Sequence, residues 1–587
     1  MRVPALWLAV FPTSTRDAAL LCTTARRSPG SSCAAGVGAC SGGRFVPGER
    51  ENARSRREAH RLQVATKRNG PGHENREATI SKTATLQELA GLPARGREGG
   101  REMAAQAHVL LFPWPLQGHI NPMLHLASAL LDAGGLHVSF LHTEHNLRRL
   151  ALARAPPHHP RLRLLSFPDG LPDDHPRSAG GLMEIFESMR TAGTAAFRAL
   201  LRAELAGPAP AVTCVVADGV MPFAISAAEE MGVPALAFRT ESACGFLAYL
   251  SVPRLLELGE TPVPSDEQVR GVPGMEGLLV LRRRDLPRVV PGSADAADPV
   301  PVLLTIADTV ARCAESRAVI LNTAASMEGP ALARIAPRMR GQVFAVGPLH
   351  ARPAAVERAR LWREDGDHGG CAAWLDGHDD RSVVYMNLGS LEMVSSEQLD
   401  ELLHGLVAAG YAFLCVLRPD MVHHMTSWHE IQAAAAAVAG AGDRALVVEW
   451  AVHRDLHYVL GHRAVGCFLT HAGWNSVLEA AVEGVPVVCW PFFADQQTVS
   501  RFVGAVWKTG LDMKDVCDRA VVARMVREAM EAPGMRAAAQ AMARQLRLDV
   551  AQGGSSASRL ERLVAFITEL SAVQTPPEDV DSSSLAA

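Results

Sequence analysis

Between Phe468 and Gln497 the chain reads FLTHAGWNSVLEAAVEGVPVVCWPFFADQQ. Two apolar runs enclose His471, Trp474, Asn475, Ser476, Glu479, Asp495 and Gln496 at fixed offsets. VGCFLTH reads as a buried strand, the Ala472-Gly473 pair as a tight turn, and WNSVLEAAVEG as a helix closed by Gly484. His471 then sits at a strand's carboxyl end, while Trp474, Asn475 and Ser476 open a helix. The free N–H groups and positive partial charge of a helix start bind phosphate without a metal. Asn475 and Ser476 add side-chain donors there, and His471 can donate one more. Glu479 lies one turn on, on the same face. A carboxylate touching phosphate would repel it, but at that distance it can accept from the two hydroxyls of a ribose. These residues alone are equally compatible with a nucleotide site and with a capped helix carrying a surface glutamate. Asp495 and Gln496 follow the strand VPVVCWP; a carboxylate beside an amide suits the hydroxyls of a hexose, and Asp495 can also cap the next helix. Trp450 ends the strand ALVVEW, where an aromatic can stack on a base or fill the core.

A second constellation could move a proton. His119, in QGH, follows the strand VLLFPWP and opens a helix at INPML, and Asp218 ends the strand in VVADG. A carboxylate bonded to imidazole fixes its tautomer and raises its basicity, which suits a general base near neutral pH. A satisfied structural histidine is the plainer reading of a lone strand-end His, and the pairing with Asp218 favours the base. Metal chemistry finds little support. The D-x-D at Asp365–Asp367 lies in a polar segment and reads as a solvated loop, HTEH at His142–His145 lacks i,i+4 ligand spacing, and no CxxC occurs.

The elements that position these residues alternate. HVLLFPWP, LHVSFLHT, AVTCVVADG, VPALAFRT, AVILNTA and QVFAVGP read as strands with helical stretches between them, which predicts a parallel doubly wound sheet. The pattern pauses after VGPLHARPAA and the polar segment 360–380. It restarts with SVVYMNLGS, YAFLCVLRP, RALVVEW, VGCFLTH and VPVVCWP. Two Rossmann-like α/β domains are therefore expected, facing across a cleft, with ligands at the carboxyl ends of the strands. We expect a low-complexity, disordered extension at 1–102, an N-terminal domain at 103–350, a C-terminal domain at 351–570 and a disordered tail at 571–587. Met103 is an internal start that would yield the compact part alone. The net charge of -4 gives no global field for nucleic acid. The 11 scattered cysteines suit a reducing compartment. No apolar run is long enough for an integral membrane segment.

The segment Trp450–Gln496 resembles the nucleotide-sugar signature box of plant family 1 UDP-glycosyltransferases. HAGWNS, LEAAVEGVP and the closing DQ carry the match. FPWPLQGHINPML, VVADG, WLD, SVVYMNLGS and VGPL extend it from about His108 to about Leu570. The resemblance implies the GT-B fold, with the UDP-sugar on the C-terminal domain, the acceptor on the N-terminal one, and the last helix packing back on the N-terminal domain. It implies that Trp450 stacks on uracil, that Glu479 binds the ribose, and that His471, Gly473, Asn475 and Ser476 hold the diphosphate with Ser390 nearby. Trp474, Asp495 and Gln496 would contact the sugar, Gln496 favouring UDP-glucose. His119 and Asp218 would be the catalytic dyad.

One stretch departs from the family. In WAVHRDLHYVLGH, Val452 and His453 replace a proline and a glutamine, and the interval from Trp450 to His462 is three residues longer. Three residues displace a helix by about 4.5 Å, or bulge into the loop at little cost. His453 can still hydrogen-bond a base. The acceptor pocket should come from N-terminal loops, with Trp114, Leu116, Phe223, Thr240 and Phe246 as lining residues. FRTESACGFLAYLSVPRLLELG is most similar to members acting on iridoid-type acids. The expected enzyme is an inverting, metal-independent UDP-glucosyltransferase with no cofactor beyond UDP-glucose as co-substrate. Its acceptor is a hydroxyl or carboxyl of a flavonoid, other phenolic or terpenoid, and it is expected to be monomeric and cytoplasmic. The alternative role for the acid-poor N-terminal stretch is plastid targeting. A dinucleotide oxidoreductase would need G-x-G-x-x-G where the chain has PWPLQGHINP. A non-catalytic UDP-sugar-binding homologue is the second alternative.

Overall fold

The computed structural model describes residues 107–153, 159–175, 177, 181–207, 210–269, 281–289, 300–352, 370–423, 425, 427–439, 444–449 and 459–574. The extension 1–102, Trp450, His453, the D-x-D motif and the tail beyond Gln574 lie outside the described residues.

The strand runs read from the sequence fold as two parallel sheets. The first holds β1 (His108–Phe112), β2 (His137–Thr143), β3 (Leu162–Phe167), β4 (Val212–Asp218), β5 (Ala235–Arg239), β6 (Ala318–Leu321) and β7 (Gln342–Ala345). Their order is β3-β2-β1-β4-β5-β6-β7. The second holds β8 (Val383–Asn387), β9 (Ala412–Val416), β10 (Ala445–Val448), β11 (Val465–Thr470), β12 (Val487–Cys489) and β13 (Gly510–Asp512), in the order β10-β9-β8-β11-β12-β13. All pairings are parallel. Helical crossovers cover both faces of such a sheet, which is why a central strand such as Val383–Asn387 is fully buried, with Asn387 at its end as its one residue outside the apolar and aromatic run.

Each sheet reverses its order once, between β1 and β4 and between β8 and β11. Connections diverge there, so the carboxyl ends of adjacent strands leave a crevice for ligand. The helix α1 (Gln117–Asp132) follows β1, and α2 (Ala243–Glu257) follows β5. In the second domain α3 (Trp474–Glu483) follows β11 and the short α4 (Gln496–Arg501) follows β12. The last helix, α5 (Ser555–Gln574), returns to the first sheet, where Leu560, Leu563 and Ile567 are buried in one cluster with Val109, Leu111 and Val216.

The two domains touch through apolar and ionic contacts. Trp474 and Val499 belong to the same buried cluster as Cys244, Leu247 and Ala324. A strap at 281–289, in the first half of the chain, runs along the second domain. Arg288 and Ala494 exchange backbone hydrogen bonds at 3.1 and 2.8 Å, and Thr498 Oγ1 donates to the Asp285 carbonyl at 2.7 Å. The Asp285 carboxylate, fully buried, meets Arg282 and Lys514 at 2.9 Å each. Burial would raise that carboxyl, but the two cations outweigh it and hold it below the usual range.

Candidate active site

The β1/β4 switch point brings together a histidine and a carboxylate far apart in the chain. His119 opens α1 and Asp218 ends β4. His119 Nδ1 lies 2.8 Å from Asp218 Oδ2. Asp218 is 1% exposed. Its Oδ2 also accepts the Trp114 N–H at 3.3 Å, and Oδ1 accepts the Val220 N–H at 3.1 Å. Burial alone would raise the carboxyl, but the His119 imidazole and the Val220 N–H outweigh it and keep it below the usual range. An ionised Asp218 only accepts, so Nδ1 carries the proton and donates to it. Nε2 is thereby left with its lone pair, the arrangement of a general base. Thr240 Oγ1 sits 3.1 Å from the same Nδ1 as a second acceptor.

The β8/β11 switch point carries the other half. After β11, His471 leads into Ala472 (φ +65°) and Gly473. A Cβ on Gly473 would lie 2.1 Å from His471 Nε2, so only glycine lets the imidazole fold over this turn. Gly473 caps α3 without a side-chain hydrogen bond, which leaves the first N–H groups of the helix to an anion. Asn475 Nδ2 donates to the Gly118 carbonyl of the other domain at 2.7 Å. Ser476 and Glu479 are half-buried on the same helix, and Ser390 follows β8 on the facing loop.

Asp495 and Gln496 begin α4. Gln496 Oε1 accepts the Phe492 and Phe493 N–H groups at 2.8 and 3.2 Å, and its Nε2 donates to Glu392 Oε1 at 2.9 Å. Asp495 crosses to the first domain: Ser242 Oγ donates to its Oδ2 at 3.4 Å, and a Cβ on Gly245 would fall 2.5 Å from that oxygen. Burial, and then the nearby Glu241 carboxylate, push the Asp495 carboxyl up to about 7.

Three sequence readings need correction. The Trp474 side chain is buried, and its Nε1 donates to the Asn322 carbonyl at 2.9 Å. Its indole is used in the domain contact, so only its backbone N–H can meet a sugar. Phe246 is 0% exposed and lies under the Arg239 guanidinium, 5.0 Å from the ring centroid, so it belongs to the core and lines no pocket. Trp114 is corrected in the same way: it is 1% exposed, with its indole centroid 4.3 Å from that of the Phe186 ring, and its side chain belongs to the core; Leu116 is buried in the same cluster, and Phe223 is half-buried. Thr240 touches the base. His142, also singled out in the sequence, is buried against Phe140, and burial lowers its imidazole to about 4. Among the described residues no cluster of three His, Cys, Asp or Glu could hold a metal ion.

The sequence reading missed Glu392, Arg239 and Glu241. Arg239 ends β5, pairs with Glu241 and lies near Asp218. The available signal was a charge at a strand end in FRTE and another in the loop GSLEMVS.

Two doubly wound parallel sheets, each with its candidate residues at the switch point, are the architecture of the GT-B fold. A family model described as "UDP-glucoronosyl and UDP-glucosyl transferase" matches residues 353–532. The 7-deoxyloganetic acid glucosyltransferase of Catharanthus roseus is 39% identical over 80% of this chain and 99% of its own length. The myricetin 3-O-rhamnoside 1,2-glucosyltransferase of Crocosmia x crocosmiiflora is 40% identical over 80% of this chain and 97% of its own. The crystal structure of Os79 from O. sativa in complex with UDP superposes with a TM-score of 0.65 and 27% identity, covering 78% of this chain and all of that one. The chain belongs to the plant family 1 UDP-glycosyltransferases.

Proposed function

We propose that the chain transfers glucose from UDP-glucose, with inversion, to a hydroxyl or carboxyl of a small hydrophobic plant metabolite of the flavonoid, phenolic or terpenoid class. One contact carries the reading. The Asn475 amide, in the first turn of the anion-binding helix, bonds to the carbonyl of Gly118, the residue before the base. Donor grip and base therefore face each other across the cleft.

His119 Nε2 takes the proton of the acceptor hydroxyl, and the Asp218 carboxylate stabilises the imidazolium that forms. The acceptor oxygen attacks the anomeric carbon from the face opposite the diphosphate. The bond from that carbon to the diphosphate oxygen breaks, and its electron pair leaves with UDP. His471, Asn475, Ser476 and the α3 N–H groups are preorganised donors for the charge that develops there. They supply the work a divalent cation would otherwise do, so the reaction needs no metal. Glu479 accepts from the ribose, and Asp495 and Gln496 act on the hexose. The described cysteines are all free thiols, which supports a reducing, cytoplasmic setting. Among the described residues no helix is long and apolar enough to cross a membrane.

The test is transfer of radiolabelled glucose from UDP-glucose to a panel of phenolic, terpenoid-alcohol and carboxylic-acid acceptors. A hydroxyl must lose its proton, whereas a carboxylic acid has already done so near neutral pH. His119→Ala should therefore reduce transfer to hydroxyls by about 100-fold or more and spare a carboxylate acceptor. Equal transfer to hydroxyls by the variant would remove His119 as the base. UDP binding without turnover on any acceptor would favour the non-catalytic alternative.

A further inference from the structure

Glu392 is a buried carboxylate that the transfer reaction does not use. It lies two residues beyond Ser390, at the switch point where the donor grip is built. It is 3% exposed. Its Oε1 accepts from Gln496 Nε2 at 2.9 Å and lies 3.5 Å from His471 Nε2. Its Oε2 accepts the Leu391 backbone N–H at 3.1 Å. That oxygen also closes on Gly389, where a Cβ would fall 2.6 Å away. One carboxylate thus engages a histidine assigned to phosphate, an amide assigned to the hexose and a backbone N–H of the loop between them.

We propose that Glu392 is an internal competitor of the donor, an anion held on the hydrogen-bond partners that the diphosphate sugar must take over. This rests on the donor reading of the site given above. Two anions at contact distance in a largely buried site repel strongly, so diphosphate and Glu392 do not share His471. Donor entry displaces the carboxylate from His471 and Gln496, and the carboxylate returns as UDP leaves. Glu392 therefore lowers affinity for both UDP-glucose and UDP, and speeds release of the second product.

The experiment is calorimetric titration of the full chain, Glu392→Gln and Glu392→Ala with UDP, UDP-glucose and uridine. Gln keeps the shape and removes the charge; Ala removes both. UDP should bind more tightly in the order native, Gln, Ala, by about tenfold at the end of the series, with uridine unchanged because it carries no phosphate. Unchanged or weaker UDP binding in both variants overturns the proposal. Weaker UDP-glucose with unchanged UDP would make Glu392 a hexose ligand instead and also overturns it. Uridine tightening as much as UDP would show a general structural effect and overturn it equally. A native chain that binds no UDP would refute the donor reading itself, and this proposal with it.

Discussion

Asp495 carries an acid with an unusual proton affinity. Its carboxyl is pushed up from an ordinary 3.8 to about 7 by burial and by Glu241. An acid whose folded pKa exceeds its unfolded one holds its proton more tightly in the fold. Its contribution to stability is full below the unfolded pKa, falls as pH rises from about 4 to about 7, and is level above. Asp495→Asn keeps the size and cannot ionise. Its stability relative to the native chain should rise across that window and stay constant at higher pH, while its use of UDP-glucose falls. Calorimetric melting between pH 4 and pH 8 reads this directly; parallel curves for the two chains would contradict it. The single segment Phe468–Gln497 made Asp495 legible in the sequence, because strand, turn and helix set its offset from His471. The residues that shift its proton are not within that segment. Glu241 and Ser242 come from the other domain, and no local pattern announces a pairing across more than two hundred positions.

At the scale of elements, the strap at 281–289 is an arm of the first domain lying against the turn that presents Asp495 and Gln496. Ala494 in that turn has φ +56°, a left-handed backbone that a residue with a Cβ adopts at a cost. The reciprocal backbone hydrogen bonds with Arg288 hold it there. Removing the Asp285 carboxylate leaves Lys514 and Arg282 without their shared buried anion. Asp285→Ala should destabilise the fold by about 3 kcal/mol, seen as a lower denaturant midpoint, and should raise KM for UDP-glucose more than it lowers kcat. An unchanged KM would mean that the strap holds the domains together but does not set the turn. Most strands were legible because a strand buried on both faces must be an apolar run. β3 and β13 were not. β3 is an edge strand whose exposed positions interrupt the run in LRLLSF, and β13 has only the three residues of GLD. Neither shows the continuous apolar stretch that marks the central strands. The dyad was legible as a helix start and a strand end, but its third partner Thr240 was read as pocket lining, because its contact with His119 exists only once β4 and β5 are side by side.

For the whole molecule, every residue assigned to base or donor grip falls between His119 and Gln496, and the relatives match 80% of the chain while nearly all of their own length is covered. A chain starting at Met103 should therefore bind UDP and transfer glucose with the KM of the full chain. A several-fold change in either would assign the first hundred residues a part in the site. The division into two domains was legible from the pause and restart of the strand pattern. That one apolar cluster continues through both domains was not, since Trp474 and Phe246 look like ligand-facing aromatics until the domains are packed.

The return of α5 to the first sheet has a mechanical consequence. The chain passes from the first domain to the second after β7, and passes back before Ser555, whose neighbour Ser556 donates to the Gly347 carbonyl at 2.6 Å. Gly347, just after β7, and Ser556, at the start of α5, are thus in direct contact. A body attached by a single tether can swing and twist freely, whereas attachment by two adjacent passages leaves one easy rotation, about the line they define. A rotation of one domain against the other would be confined to that line, and would return Asn475 to Gly118 in the same register.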